Sequence, residues 1–276
     1  MKPEAHREAR ERAEEMREGL RRCRLCPREC GADRVAGERG FCGLGAEARC
    51  FREVLHFGEE RELVPSHQVY FAGCNLRCEY CTVAEWNESP EDGEGLSTQE
   101  VLAAIGRRRS AGARTLNILG GEPAVSAAGI LRLLAAVECG VSVVWNSNMY
   151  YNPVVDRALR GLVDVFLADI KCYGQECCER LLGVGDYNET VRRNIESAAE
   201  HADVIVRVIV LPGHLDCCVA PTMQWIAEKM EGVKVSLRGD YIPPAEGVYA
   251  PREYVGRGEM ATVRRMAADL GLKVVQ

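Results

Sequence analysis

The stretch Gln68-Val69-Tyr70-Phe71-Ala72-Gly73-Cys74-Asn75-Leu76-Arg77-Cys78-Glu79-Tyr80-Cys81 runs from a short apolar segment straight into three closely spaced cysteines. The apolar segment reads as a β-strand and the cysteines as the loop that leaves it. Cys74, Cys78 and Cys81 supply three thiolates, whereas a cubic iron–sulfur cluster has about four irons to ligate. One iron is therefore left without a protein ligand, as a cluster must have if it binds a substrate directly. A structural zinc site needs about four protein ligands, usually with paired cysteines. Beyond Cys81 the next fifty residues offer only carboxylates for that purpose. The spacing points to an iron–sulfur site with an open corner.

A second segment lies one strand–helix unit further on. The apolar run Thr115-Leu116-Asn117-Ile118-Leu119 leads directly into Gly120-Gly121-Glu122-Pro123. Glycines let a strand end turn while its backbone approaches a ligand closely. Glu122 offers an acceptor for an ammonium. Together, the Cys-x3-Cys-x2-Cys loop with Tyr80 before its last cysteine and this Gly-Gly-Glu-Pro turn resemble the radical S-adenosylmethionine superfamily. The resemblance implies a [4Fe-4S] cluster on Cys74, Cys78 and Cys81, and Gly120, Gly121 and Glu122 holding the amino group of S-adenosylmethionine. It implies reductive cleavage of that cofactor to methionine and a 5′-deoxyadenosyl radical, which takes a hydrogen atom from a substrate.

Outward from these segments the chain alternates strand and helix. Strands are expected at Gln68–Ala72, Arg114–Leu119, Val141–Trp145, Val163–Ile170, Val204–Leu211 and Val233–Leu237. Helices are expected near 98–110, 125–138, 153–160, 188–201, 218–230 and 257–270. Continuous Val/Ile/Leu strands are those of a parallel sheet buried on both faces. The repeats are fewer than the roughly eight that close a full barrel. The resemblance implies an α/β fold, a partial (β/α)6 barrel, with its site at the strand C-termini, where parallel sheets usually carry one. Residues 82–97, rich in Glu, Gly and Pro, read as a mobile connection.

Polar residues mark several strand ends: Asn146 and Asn148, Asp169 and Lys171, His214, then Arg238, Asp240 and Tyr241. The Asp169-Ile170-Lys171 step resembles that of pyruvate formate-lyase activating enzymes. By that resemblance Asp169 belongs to a small cation site beside the cofactor, and Lys171 faces the cofactor's carboxylate. Asn146 stands where those enzymes carry an aspartate, so the chain departs from their cation site. Arg207 matches a strand arginine of the same group, and Asn148 is a further candidate for cofactor contact.

Residues 1–22 form an amphipathic helix, with Ala5, Ala9, Ala13, Met16 and Leu20 on a narrow apolar stripe. Residues 23–60 hold a second cysteine set, Cys23, Cys26, Cys30 and Cys42, in a stretch too poor in apolar residues to fold alone. A closed four-thiolate site there suits zinc or iron, with Cys50 left out. Residues 61–276 make up the catalytic core. The vicinal pairs Cys177-Cys178 and Cys217-Cys218, with Cys172 nearby, read as buried reduced thiols. A third metal site is the alternative there, but a vicinal pair does not readily point both sulfurs at one ion. His67 precedes the first core strand and reads as no ligand.

The chain has 276 residues and 14 cysteines, and at that length without a leader the cysteines favour metal binding over disulfides. No apolar run is long enough to span a membrane. The net charge of −6 gives no reason to expect nucleic acid. A reducing cytoplasm is the expected compartment. The cysteine layout and the Pro212-Gly213-His214-Leu215 step resemble Fe–S proteins described as similar to pyruvate formate-lyase activating enzymes. That resemblance implies an electron donor such as flavodoxin or ferredoxin, and hydrogen abstraction from the glycine of a partner enzyme. Modification of a small molecule or peptide is the alternative reading. A non-catalytic iron–sulfur carrier or binding module is a second alternative, against which the Gly-Gly-Glu-Pro turn stands.

Overall fold

The computed structural model describes residues 3–137 and 140–275. Residues 1 and 2 of the expected N-terminal helix, residue 138 of the helical stretch expected at 125–138, residue 139 and residue 276 lie outside the described residues. The strands are β1 (Arg49–His56), β2 (Ser66–Phe71), β3 (Glu94–Gly95), β4 (Thr115–Gly120), β5 (Ser142–Ser147), β6 (Val165–Ile170), β7 (Asp203–Ile209), β8 (Lys234–Arg238) and β9 (Lys273–Val275). The helices are α1 (Pro3–Gly19), α2 (Ala84–Glu88), α3 (Thr98–Ser110), α4 (Ala127–Leu134), α5 (Pro153–Leu159), α6 (Gln175–Leu182), α7 (Tyr187–Ala199), α8 (Ala220–Lys229) and α9 (Arg257–Asp269).

One sheet joins all the strands in the order β3-β1-β2-β4-β5-β6-β7-β8-β9. From β2 to β9 every pairing is parallel, while β1 runs antiparallel to β2. The six expected strands and helices are present, and their unbroken spatial order makes the fold the expected α/β partial barrel. The sequence reading missed β9, β3, α2 and α6, all short, and did not count β1 among its strands. Local chemistry sets the helix ends. Ser97 accepts from the Glu100 amide at 3.3 Å to cap α3, whose last turn carries Arg107, Arg108 and Arg109 against the carbonyl end. Gly183, with φ +72°, stops α6 in the left-handed conformation that glycine adopts without strain.

Residues 82–97 are not a free connection. They hold α2, whose Trp86 stacks on Phe51 with centroids 4.8 Å apart. The apolar stripe of α1, with Ala9, Ala13 and Met16 buried, lies on α4, and small residues let the two helices approach closely. Arg12 ties α1 to the end of α5 through the Arg160 carbonyl at 2.6 Å.

The two-residue period of the strands sorts the lumen of the barrel into layers. Val144, Leu167 and Ile205 form an apolar floor with Leu63. Two residues further along each strand come Asn146, Asp169 and Arg207. The next step reaches the mouth at Asn148, Lys171 and Ile209. Leu63 belongs to the β1–β2 connection, which enters the barrel from below and carries Glu59 and Glu60 with it. Thr115 Oγ1 donates to the Leu63 carbonyl at 2.7 Å and holds this plug in place.

On the outer side, Glu53 of β1 accepts from Arg108 of α3 at 2.6 and 3.0 Å and lies 2.7 Å from His67 Nε2 of β2. His67 is thus a neighbour of Glu53. The Arg108 hydrogen bond, with His67 and against burial, holds the Glu53 carboxyl below its ordinary range. A depressed carboxyl contributes stability above its unfolded pKa and loses it as pH falls through the folded value. Glu53→Gln should therefore cost about 1 kcal/mol in urea unfolding at neutral pH, allowing for partial exposure. The difference from the parent should vanish in the acid range, below about pH 4.

Candidate functional site

The cluster loop leaves β2 through Gly73, whose φ of +82° only glycine tolerates easily. A Cβ there would meet Leu44 at 2.7 Å and the Cys42 carbonyl at 2.9 Å. Cys74 is buried, and its sulfur accepts from the Leu76 amide at 3.4 Å and Asn148 Nδ2 at 3.8 Å. Cys81 accepts from Asn87 Nδ2 at 3.4 Å. Burial pushes the Cys78 thiol up to about 12, with Lys171 opposing it, and pushes Cys74 well above its ordinary value. Bare thiols in such a place stay protonated, and a bound cation is what makes them ionise. All three cysteines are free and line one cavity of about 330 Å³ at the barrel mouth, together with Gly120, Gly121, Asn148, Asp169, Lys171 and Arg207. That donor set fits an iron–sulfur cluster held by thiolates.

The glycine turn lies against this loop, backbone to backbone. The Gly121 amide donates to the Phe71 carbonyl at 2.7 Å and the Glu122 amide to the Gly73 carbonyl at 2.9 Å. A Cβ on Gly120 would sit 2.2 Å from Phe71 O, and one on Gly121 would sit 2.2 Å from Gly73 O and Asn87 Oδ1. Neither position can carry a side chain. Glu122 is fully buried: one carboxylate oxygen accepts from the Ala124 amide (3.0 Å) and Ser147 Oγ (2.8 Å), the other from the Asn148 amide (2.8 Å). Burial outweighs these donors and pushes the carboxyl up to about 7. Its side chain braces the ends of β4 and β5, and the groups of this turn that line the cavity are those of Gly120 and Gly121. Asn148 is likewise engaged, donating to Asn75 Oδ1 at 2.9 Å and accepting from the Tyr150 amide at 2.8 Å.

A charged wall faces the cysteines. Lys171 Nζ pairs with Asp169 Oδ2 at 3.0 Å, and burial of the ammonium is outweighed by Asp169, Cys78 and Tyr80, so its pKa lies well above the usual lysine range. Tyr80 Oη donates to the Lys171 carbonyl at 3.2 Å, and Tyr187 Oη donates to the Asp169 carbonyl at 2.9 Å, fixing this strand end from both sides. Arg207 lies among Glu60 (2.9 Å), Glu59 (3.0 Å) and Asp169 (3.7 Å). The positive charges beside Asp169 are thus Arg207 and Lys171. Glu59 and Glu60 were invisible to the sequence reading. In Gly58-Glu59-Glu60-Arg61-Glu62 they look like a solvated charge run, and only the plug carries them inside.

Outside the cavity, the N-terminal thiols also converge. Cys23, Cys26 and Cys42 are buried and Cys30 is exposed. Gly40 lets Cys30 and Cys42 approach, since a Cβ there would meet their sulfurs at 3.2 and 3.5 Å. Burial, with Cys42, Cys23 and Cys30 adding to it, pushes Cys26 up to about 12. Arg34 is buried beside them, 3.7 Å from Cys23 Sγ. Among the described residues no carboxylate pairs with it, so its charge suits a centre carrying net negative charge. Cys50 stands apart on β1 and donates to the Arg52 carbonyl.

The expectation of plain buried reduced thiols at the vicinal pairs is corrected. Cys172 and Cys178 form a disulfide, while Cys177, Cys217 and Cys218 gather with His214, which is not among the residues lining the cavity. Leu215–Val219 is one turn of π-helix, and this wider turn lets Cys217 and Cys218 bring their sulfurs to 3.8 Å of one another.

Residues 69–226 match the radical SAM superfamily. The chain is 34% identical over 243 residues to the uncharacterized protein MJ0674 of Methanocaldococcus jannaschii, covering 85% of this chain and 69% of that one. The crystal structure of SuiB from Streptococcus suis aligns with a TM-score of 0.56 at 12% identity, over 75% of this chain but 47% of SuiB, so the chain spans about half of that protein. A radical SAM methyltransferase from Sphaerobacter thermophilus aligns with a TM-score of 0.56 at 15% identity, over 83% of this chain and 76% of that one. The two structural likenesses speak to fold alone. The chain belongs to the radical SAM superfamily, and with that family comes reductive cleavage of S-adenosylmethionine at an iron–sulfur cluster.

Two outcomes follow from this geometry. Cys78→Ala should lose the cluster iron and its visible absorption while keeping a native far-ultraviolet spectrum. Arg207→Met should strip Glu59 and Glu60 of their principal cation, leaving Lys171 on Asp169 and Arg238 on Glu60, and lower unfolding stability by about 3 kcal/mol.

Proposed function

We propose that this enzyme takes its hydrogen atom from a polypeptide, in the manner of a glycyl-radical activating enzyme. One observation carries the reading: an apolar loop at the mouth of the cavity, fastened to the cluster loop. After β8 the chain runs without helix or strand until α9, exposing Ile242 (56%), Val248 (80%), Tyr249 (50%) and Tyr254 (71%). Glu79, between Cys78 and Cys81, accepts from the amides of Val248 (3.1 Å), Tyr249 (2.7 Å) and Ala250 (2.7 Å). Tyr241 packs edge-on to Tyr80, and Ile242 lines the cavity. Exposed aromatic and aliphatic side chains beside a reactive cavity are what a macromolecular substrate would cover. A small substrate would gain nothing from them.

When bound, the cluster and S-adenosylmethionine supply a carbon radical strong enough to abstract hydrogen. The chain's own residues bind and orient. Gly120 and Gly121 are the acceptors at the cavity for the cofactor's amino group, while Lys171 and Arg207 are the cations for its carboxylate. Asp169 keeps Lys171 in place, and Asn148 keeps Cys74 and Asn75 in place. An electron carrier such as flavodoxin or ferredoxin is the partner this chemistry requires, and the oxygen-sensitive cluster it serves suits a reducing cytoplasm. The quartet Cys23, Cys26, Cys30 and Cys42 holds a second metal, zinc or iron, as the buried Arg34 beside it supports. Cys26→Ala with elemental analysis tests that part.

Anoxic incubation with reductant and S-adenosylmethionine should release 5′-deoxyadenosine. With a glycyl-radical-type protein from the same organism, electron paramagnetic resonance should show one protein radical per partner chain. Val248→Ser combined with Tyr249→Ser should lower radical transfer about tenfold while leaving uncoupled 5′-deoxyadenosine release intact. Continuous turnover on a small molecule or free peptide, with no protein radical, would replace this reading. A complete lack of 5′-deoxyadenosine would leave a non-catalytic iron–sulfur carrier.

A further inference from the structure

The geometry points to a separate mononuclear metal site of three cysteines and one histidine on the barrel rim, made by Cys177, His214, Cys217 and Cys218 and suited to zinc. Its four donor atoms all lie within 4.8 Å of one another. Cys177 Sγ is 3.6 Å from Cys217 Sγ, which is 3.8 Å from Cys218 Sγ. His214 Nδ1 lies 3.5 Å from Cys217 Sγ and 3.9 Å from Cys218 Sγ. A tetrahedron with zinc–sulfur bonds of about 2.3 Å and a zinc–nitrogen bond of about 2.0 Å has edges of roughly 3.5–3.8 Å. Four of the six donor–donor distances, 3.5 to 3.9 Å, are close to those edges, and the other two lie within 4.8 Å.

Two features hold them there. The π-helical turn Leu215–Val219 starts at His214, whose carbonyl accepts from both the Cys218 amide (3.0 Å) and the Val219 amide (3.2 Å). That widened turn brings a vicinal pair and the histidine before it to one side, which an ordinary helical turn does not do. Opposite, Cys177 sits in the first turn of α6, next to Cys178, whose bond to Cys172 fixes the segment between them. Gly174 lies between the two sides, where a Cβ would be in ordinary contact with the Cys217 carbonyl at 3.5 Å and Cys177 Sγ at 3.8 Å.

Thiolate and imidazole donors in tetrahedral array select zinc among common ions, and four protein ligands make a closed, structural site. An ion here joins the first turn of α6, which follows the connection from Lys171, to the β7–α8 connection. It would tie the strand end that carries Asp169 and Lys171 to its neighbour. The site is independent of the cluster on Cys74, Cys78 and Cys81 and of what the enzyme acts on.

The test is metal analysis of the full chain, purified without oxygen and without added thiol and loaded with zinc alone. The parent should hold one more zinc per chain than Cys217→Ser or His214→Ala, with iron content unchanged among the three. Cys26→Ala must keep this zinc, which separates it from the N-terminal quartet. His214→Cys restores four donors and should retain the ion, and its cobalt form should show a stronger thiolate charge-transfer band than the parent's. Equal zinc in the parent and in Cys217→Ser would overturn the proposal. So would loss of zinc from a natively folded His214→Cys protein, or a Cys177–Cys217 disulfide found by alkylation mapping of the anoxically purified parent.

Discussion

The site depends on a place where backbone touches backbone. The turn at Gly120 and Gly121 lies so close to Phe71 and Gly73 that no side chain fits between the two strand ends. Parallel neighbours β2 and β4 bring their C-terminal ends level, and the amides of Gly121 and Glu122 then close the gap by bonding to Phe71 and Gly73. One strand delivers the cysteines, the other the glycines, and their relative position is fixed by hydrogen bonds rather than by flexible side chains. Pre-organisation of this kind costs nothing at the moment of binding. It also explains why Glu122 is buried. Once the turn is drawn in, the side chain has no solvent to face, and it holds the β5 end through Ser147 and Asn148.

Below that junction, the lumen is charged where the period of the strands makes it so. Arg207 and Asp169 face inward from paired positions on β7 and β6. Alone they would be a single buried pair, for which desolvation rivals attraction. The plug adds Glu59 and Glu60, and Asn117 Nδ2 donates to Glu59 at 2.6 Å. Arg207 thereby has carboxylates on several sides and Lys171 is left with Asp169 at the mouth. The outcome is a graded interior: apolar floor, acid-rich middle, ammonium at the top beside the cysteines.

Most of the barrel was legible because its signals are local. Continuous apolar strands, Gly–Gly at a strand end and cysteines at short spacing each declare themselves within a dozen residues. What escaped depends on distance. Glu59 and Glu60 look like surface acids until the β1–β2 connection folds inward, and that path is set by Leu63 finding Val144, Leu167 and Ile205. The vicinal cysteines misled for a related reason. The rule that neighbouring side chains diverge holds for ordinary helix and strand, and a π-helical turn is not announced by Leu-Asp-Cys-Cys-Val. Trp86 and Asn87 hide in a stretch whose Glu, Gly and Pro suggested looseness. The stacking partner Phe51 is far away in sequence and cannot be inferred from it.

The residues between the three cysteines show how a metal loop is positioned. Asn75 bonds to the Tyr150 carbonyl and to Asn148, and Leu76 is buried in the core. Arg77 holds the Cys74 and Phe41 carbonyls and lies over the Phe41 ring, which Arg28 covers from elsewhere in the N-terminal segment. Glu79 collects the amides of 248–250, and Tyr80 reaches the Lys171 carbonyl. Each intervening residue therefore grips a different part of the chain: the β5 end, the core, the cysteine-rich segment, the mouth loop and the β6 end. The cysteine spacing chooses the kind of centre, and the residues within that spacing decide where it stands. A thiolate loop held at so many points has little freedom to reorganise around its metal, so its geometry is inherited from the barrel.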